Sequence, residues 1–490
     1  MVMKLFQKYK NRLFQYGVHL LLLLIFWGGM LRKSFNCDTL SHMVVEDADI
    51  VHRIQGGRYF AALGDFILLK SGLRTTTNLS VTMLVVFIIL AMAMLEIQDI
   101  FSRFMPKNPW SRVGFFCGID MVFLNVLFAE PLMFSEYSPY FAIAYFTAAV
   151  GVKCFIKRNY MVMFFMYAIA VCFYQNAVVF AAILTAFYIC LEEEMLFSRR
   201  AIVREMIGIS ICMGMGILNF LSLRVLQMLH IVSSYGMDAG VGGIVAKLSK
   251  AAYHFIELNR SSAGIMPGVW LPLLFILVVW VLVIYSSIKE HKLSRLPFLF
   301  IIWLGSNSLL YVIPLTEKVF SFPPRLSFCF FMIQGLMLAS AYSICMDSLH
   351  VFISFLGGIF LTVHLLFADF TVTNHFVSNM LDKVYADMLC EEIAKYEEES
   401  GITVLKIAIV RDADAPFSYE CISYASDQIN ERALGTVPIS LINVVTGREF
   451  EKIEMPESVY EQYFKDRNWD KFDLKEQLVI EGDTAYWCVF

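Results

Sequence analysis

The chain has 490 residues, 58% of them hydrophobic and only 17% charged, a balance that excludes an ordinary soluble globular protein. Its formal net charge of −4 is small for this length, and no basic patch interleaved with aromatics occurs, which argues against a nucleic-acid partner. The composition is that of a polytopic α-helical membrane protein, with a mean hydropathy of +0.64.

About 20 apolar residues suffice to cross a bilayer. On that measure spans are expected near 13–31, 78–96, 113–130, 138–153, 160–174, 177–191, 203–222, 269–287, 297–314, 326–345 and 350–369, about 11 in all. Lys4, Lys8, Lys10 and Arg12 precede the first apolar run without a small-residue cleavage pattern, so that span is expected to remain as a signal anchor. If residue 1 starts inside, Arg103, Lys107, Arg112, Lys153, Lys157, Arg158, Arg199, Arg200, Arg204, Lys289, Lys292 and Arg295 fall in or beside inside loops. The outside connectors 131–137 and 174–176 carry no Lys or Arg. This pattern requires the chain to cross twice, or dip and return, between 160 and 191, where the apolar run is broken only at Tyr174-Gln175-Asn176.

Three longer stretches are then expected outside: a loop at 32–77, a loop at 223–268 and everything from 371. In the second, GMDAGVGG at 236–243 breaks helices, and 246–258 has the spacing of a helix lying along the interface. From 374 to 400 the pattern is that of an amphipathic helix ending at Gly401, followed by strand-like runs at 402–410, 441–445 and 485–490. The division expected is a transmembrane catalytic domain at 1–370 and a small extracytoplasmic α/β domain at 371–490. Seven of the eleven cysteines lie in or beside apolar runs, and Cys37, Cys390, Cys421 and Cys488 lie outside them.

Residues 36–58, NCDTLSHMVVEDADIVHRIQGGR, concentrate charge between two spans: Asp38, Glu46, Asp47, Asp49, His52, Arg53 and Arg58. Charges against a bilayer need water, partners or a charged substrate. Sugar transfer from a lipid phosphate needs a carboxylate to deprotonate the acceptor hydroxyl or stabilise an oxocarbenium-like centre, and cations to hold the leaving phosphate. Asp38, next to the first span, is the first choice for the acid and Asp49 the second; Arg53 and Arg58 match phosphate oxygens in bidentate geometry. Solvation of an exposed loop explains the four acids equally well.

Glu130, directly before Pro131, is a further acidic candidate, whereas Glu136 reads as helix-end solvation. Tyr174, Gln175 and Asn176 are either packing contacts between helices or substrate contacts. Arg325, after Pro323-Pro324, is a phosphate or sugar ligand or a side chain snorkelling to the interface. Asn307 and Glu317-Lys318 are weaker candidates, Asp347 and His350 are assigned no chemistry, and His364 is read as a hydrogen-bonded structural histidine. No GxGxxG or Walker loop occurs, and no DxD stands in a soluble sugar-nucleotide domain, which argues against a cytoplasmic enzyme using nucleotide sugars and for a lipid-phosphate donor.

The first span, the acidic loop from Asp38 closing in Gly57-Arg58-Tyr59, the Tyr174-Gln175 step, the PPR element at 323–325 and the C-terminal α/β tail together resemble the Gtr type-II glucosyltransferases. These are GT-C-like, multi-span enzymes that decorate bacterial O-antigens and related surface polysaccharides. Relatives often carry a doubled acid in the first loop; here Cys37 precedes a single Asp38, and the next acids stand at 46–49.

The resemblance implies a cofactor-free transferase in the bacterial inner membrane, and the main hypothesis is a metal-independent enzyme, inverting or retaining. It would move a glucosyl-type unit from a polyprenyl-phosphate sugar to a surface polysaccharide or lipid-linked glycan on the outer face. A flippase and a polyprenyl-phosphate glucosyltransferase would act upstream, and membrane lipid surrounds it. In this reading Asp38, Asp49 and Glu130 are the acidic site residues, and Arg53, Arg58, Tyr174, Gln175 and Arg325 bind substrate. The alternatives are a lipid-linked oligosaccharide flippase or transporter, which would need polar residues along several spans and repeated halves, and a polysaccharide polymerase.

Overall fold

Long apolar runs without interior proline become helices, and in the computed structural model of this chain they do so over most of its length. The structure describes residues 2–44, 48–76, 78–233, 243–316, 321–411, 429, 433–467 and 473–489. Glu46, Asp47, most of the 236–243 glycine run, Glu317, Lys318 and Cys421 lie outside the described residues, as does the side chain of Asp49.

The helices are α1 Val2–Trp27, α2 Cys37–Val44, α3 Ala48–Gln55, α4 Tyr59–Lys70, α5 Leu79–Phe101, α6 Pro109–Asp120, α7 Ala129–Met133, α8 Ser138–Ile156, α9 Tyr160–Phe173, α10 Ala177–Glu192 and α11 Arg199–Met228. They continue with α12 Ile244–Ser261, α13 Leu271–Lys289, α14 Leu296–Leu309, α15 Val312–Thr316, α16 Pro324–Ser327, α17 Cys329–Ile344, α18 His350–Ser400, α19 Ala433–Thr436, α20 Pro438–Thr446, α21 Glu457–Tyr463 and α22 Leu474–Gln477. Four strands complete the chain: β1 Lys406–Arg411, β2 Glu451–Ile453, β3 Leu478–Glu481 and β4 Thr484–Val489. Among the described residues seven helices are long and apolar enough to cross a membrane, with shorter apolar helices at Tyr160–Phe173 and Ala177–Glu192.

The chain divides into two units. The first comprises Met1–Leu31, Asp49–Leu132 and Tyr137–Phe370; the second joins Arg32–Ala48 and Met133–Glu136 to Thr371–Phe490. In the first, α10 and α17 are buried on nearly every face, and α8 packs against α5, α9 and α10. The outer helices leave large apolar side chains exposed, such as Leu274, Leu277, Val281, Ile284 and Ile288 along one stripe of α13. Water would not tolerate so continuous an apolar surface, and hydrocarbon does.

Close approach between α6 and α17 depends on glycine. A Cβ at Gly118 would lie 2.6 Å from the Gly335 carbonyl oxygen and 3.2 Å from Ala339 N, and both obstacles are backbone. Small residues at such a crossing let two helix backbones touch.

Several sequence expectations change. The run 113–130 is not one helix: α6 ends at Asp120, and a buried turn follows, held by the Asn125 amide donating to Met121 O at 2.9 Å and by Val126 N donating to His364 Nδ1 at 3.3 Å. His364 is therefore the hydrogen-bonded structural histidine expected. Residues 297–314 likewise split into α14 and α15. Conversely, the last expected span and the amphipathic segment after it form a single 51-residue helix, α18, because no glycine or proline stands between 369 and 374 to stop it.

In the second unit the sheet has the order β2-β1-β4-β3, with β1 parallel to β2 and β4, and β3 antiparallel to β4. Its core brings Ile407, Ala485 and Trp487 of the sheet against Leu389 and Ile393 of α18, Leu441 and Ile442 of α20, and Leu40 of α2. The stretch 441–445, read as a strand, is helical in α20. Pro438 stands in the first turn and Gly447 ends the helix in the left-handed region (φ 67°), and these two signals override β-branched composition.

Gly118→Ala is expected to cost about 1–3 kcal/mol through overpacking of the α6–α17 crossing. Thermal unfolding of the purified protein in detergent, against wild type, measures it.

Candidate functional site

The polar centre of the first unit grows from the turn between α3 and α4. The helix α3 ends at Gly56-Gly57, with Gly56 N on His52 O (3.0 Å) and Arg58 N on Arg53 O (2.8 Å). Gly57 takes φ +70°, and its close neighbours leave no space for a side chain: a Cβ would lie 2.9 Å from Asn219 Oδ1 and 3.1 Å from Gln175 Nε2. Such a turn exposes carbonyls that the helix itself cannot satisfy. Here the Gln175 amide donates to Gly56 O (2.5 Å) and the Asn219 amide to Gly57 O (2.8 Å), while Gln175 Nε2 also donates to Asn219 Oδ1 (3.3 Å). The Tyr59 hydroxyl lies 2.8 Å from Ser222 Oγ, and Gln55 Nε2 donates to Ser233 Oγ at 2.7 Å. Burial holds the Tyr59 phenol above its ordinary pKa, against the lowering by Ser222.

Two arginines flank this turn in different states. Arg53 is fully buried; its Nε donates to Asp65 of α4, and the Tyr140 hydroxyl donates to the other oxygen of the same carboxylate. Its guanidinium carbon lies 4.0 Å from the Tyr137 ring centre and 4.9 Å from that of Tyr140. The Arg58 guanidinium carbon lies 5.0 Å from the Tyr137 ring centre and 5.6 Å from that of Tyr174, and its buried Nε–H has no acceptor among the described residues. Cation–π contact contributes roughly 0.5–2 kcal/mol, the more the drier the site, but it does not replace a hydrogen-bond acceptor.

The Tyr174-Gln175-Asn176 step carries the network further. Tyr174 leaves α9 in extended backbone (φ −158°, ψ 122°), so three consecutive side chains diverge. Tyr174 flanks Arg58, Gln175 binds the glycine turn, and Asn176 Nδ2 donates to Arg325 O at 3.3 Å. Pro323 is extended (ψ 161°) ahead of α16, so Arg325 N, in the first turn, is one of the donors a helix start leaves unused. It donates to Glu130 Oε2 (2.5 Å), and Arg325 Nη1 donates to Glu130 Oε1 (2.6 Å). Glu130 is fully buried, and both of its oxygens are thereby engaged.

Of the residues singled out from sequence, Arg53, Arg58, Tyr174, Gln175, Glu130 and Arg325 thus lie in one connected set of contacts. Asp49 sits in α3, one turn before Arg53. Asp38 belongs to the second unit, half-buried in the first turn of α2. There Asn36 caps the helix by accepting from Thr39 N (2.6 Å) and donates to Met133 O (3.1 Å). Glu136, read as a solvated helix end, is only 1% exposed and accepts from the Thr39 hydroxyl. The structure adds Asp65, Tyr137, Tyr140 and Asn219. A lone carboxylate in the apolar run 59–70 and an amide within the apolar middle of α11 were the available signals for two of them.

Comparison with family models, characterised proteins and solved structures finds no match for this chain.

Gly57→Ala is expected to cost at least about 1–2 kcal/mol for the left-handed backbone alone, whereas Gly56→Ala, whose Cβ meets only ordinary contacts of 3.5 Å and beyond, should change little. Paired thermal melts of the two variants separate these outcomes. Glu130→Gln should cost about 3 kcal/mol by leaving the Arg325 charge without its buried carboxylate, and adding Arg325→Met should recover part of that loss in a double-mutant cycle.

Proposed function

We propose that this chain is a membrane glycosyltransferase that moves a glucosyl-type sugar from a polyprenyl-phosphate donor to a cell-surface polysaccharide or its lipid-linked precursor. The observation that carries the reading is the contrast among the three arginines. Arg53 has Asp65 and Arg325 has Glu130, whereas the Arg58 guanidinium stands between two tyrosine rings with a buried Nε–H that lacks an acceptor among the described residues. A guanidinium held this way suits a phosphate oxygen.

As the bond between the sugar carbon and the phosphate oxygen breaks, the phosphate gains negative charge. Arg58 would stabilise that charge in place, without reorganising. Arg53 and Glu130 then act as positioning residues: Arg53 locks α3 to α4 through Asp65, and Glu130 fixes Arg325. The acceptor hydroxyl must pass its proton to a carboxylate as its oxygen attacks. Asp38 and, second, Asp49 are proposed for that role from sequence chemistry.

The test supplies a radiolabelled polyprenyl-phosphate glucose and acceptor glycan to membrane vesicles containing the full chain. Arg58→Ala is expected to lower transfer about 100-fold or more with unchanged protein in the membrane. Arg53→Ala should instead reduce the amount of folded protein. Wild-type transfer by Arg58→Ala would refute the phosphate role, and wild-type transfer by both Asp38→Asn and Asp49→Asn would refute the proposed base.

A further inference from the structure

The other end of the first unit carries a basic cleft that the transfer reaction does not use. The chain turns between α8 and α9 at Arg158, whose backbone is left-handed (φ 58°), and returns through α10 to start α11 at Arg199. Ser198 caps α11, its side chain accepting from Ala201 N at 3.0 Å. Between these segments opens a cleft of about 510 Å³ lined by Arg158, Tyr160, Arg199, Arg200, Val203 and Arg204.

The charges in this cleft are only partly neutralised. Arg204 pairs with Glu192 and with Glu193 (3.0 Å), and Arg200 reaches the same Glu193 at 3.4 Å. Arg103 also draws on Glu192, at 2.5 Å. Arg158 and Arg199 have no carboxylate within ion-pair distance among the described residues. Two further features select the anion. The cleft lies where α8 and α10 end and α9 and α11 begin, and the ends of helices that cross a bilayer are where anionic headgroups meet juxtamembrane cations. Beyond the cleft α9 and α11 leave large apolar side chains exposed, Met161 and Phe165 on one and Met206 and Ile207 on the other, a surface that hydrocarbon tolerates and water does not.

We propose that this cleft binds the phosphate of an anionic membrane lipid, with Arg158 and Arg199 as its principal ligands and the acyl chains against the exposed apolar sides of α9 and α11. A soluble anion would use the charges but not the exposed apolar helix surface. The inference stands independently of the transfer reaction, because none of its residues belongs to the Arg58 network.

Native mass spectrometry of the full-length protein in detergent, titrated with phosphatidylglycerol or phosphatidylcholine, tests it. Phosphatidylglycerol should be retained at least five-fold more strongly. Arg158→Gln with Arg199→Gln should weaken it roughly ten- to thirty-fold, the scale expected for two charges lost near an anionic surface, and lysine at both positions should restore part of the binding. Should the double variant fail to melt cooperatively, Arg199→Gln alone, at an exposed position in the first turn of α11, gives the same reading with a smaller loss. Equal retention of the two lipids, or unchanged binding by a folded glutamine variant, would overturn the proposal. So would displacement of the lipid by millimolar inorganic phosphate, which would make the site one for the free anion.

Discussion

Backbone that enters an apolar bundle must find partners for every N–H and C=O, and this constraint organises the first unit. The Gly56-Gly57 turn can lie among transmembrane helices only because Gln175 and Asn219 take its carbonyls. Those two amides in turn need the break between α9 and α10 and a polar position in α11. The same logic operates at residues 121–128, where Asn125 and His364 satisfy a buried turn. Polar residues in the apolar runs are thus the points at which the helices are allowed to stop.

The two ends of this bundle treat charge differently. At one end Arg12 and Lys153 share Glu96 and Asp99 at 2.5–3.0 Å, joining α1, α5 and α8, and Arg103 and Arg204 share Glu192. At the opposite end the cations are divided between acids that hold them, Asp65 and Glu130, and tyrosine rings that leave the Arg58 Nε–H without an acceptor among the described residues. Ion-pair networks of the first kind join helices. A guanidinium of the second kind holds a buried Nε–H ready for an acceptor, which is why it attracts a functional reading.

Much of this was legible in the chain itself. Hydropathy identified the helical membrane character, and the bias of lysine and arginine among the loops required a return between 160 and 191. The structure bears out that return in α9 and α10, with Arg158 and Arg199 lining one cleft. Charge clustering marks Arg53 and Arg58, the position directly before Pro131 marks Glu130, and the PPR element marks Arg325. Residue type could not distinguish these arginines, because whether a guanidinium is neutralised depends on Asp65 or Glu130, 12 and 195 residues away along the chain.

What sequence determined alone was the set of apolar lengths, the polar interruptions and the inventory of charges, since these follow from local composition and period. Tertiary structure decided where the interruptions end helices, that α18 runs on as one helix, that 441–445 coils instead of extending, and which acid neutralises which cation. Those outcomes turn on pairings between distant segments, where the cost of an unsatisfied buried group exceeds any local preference.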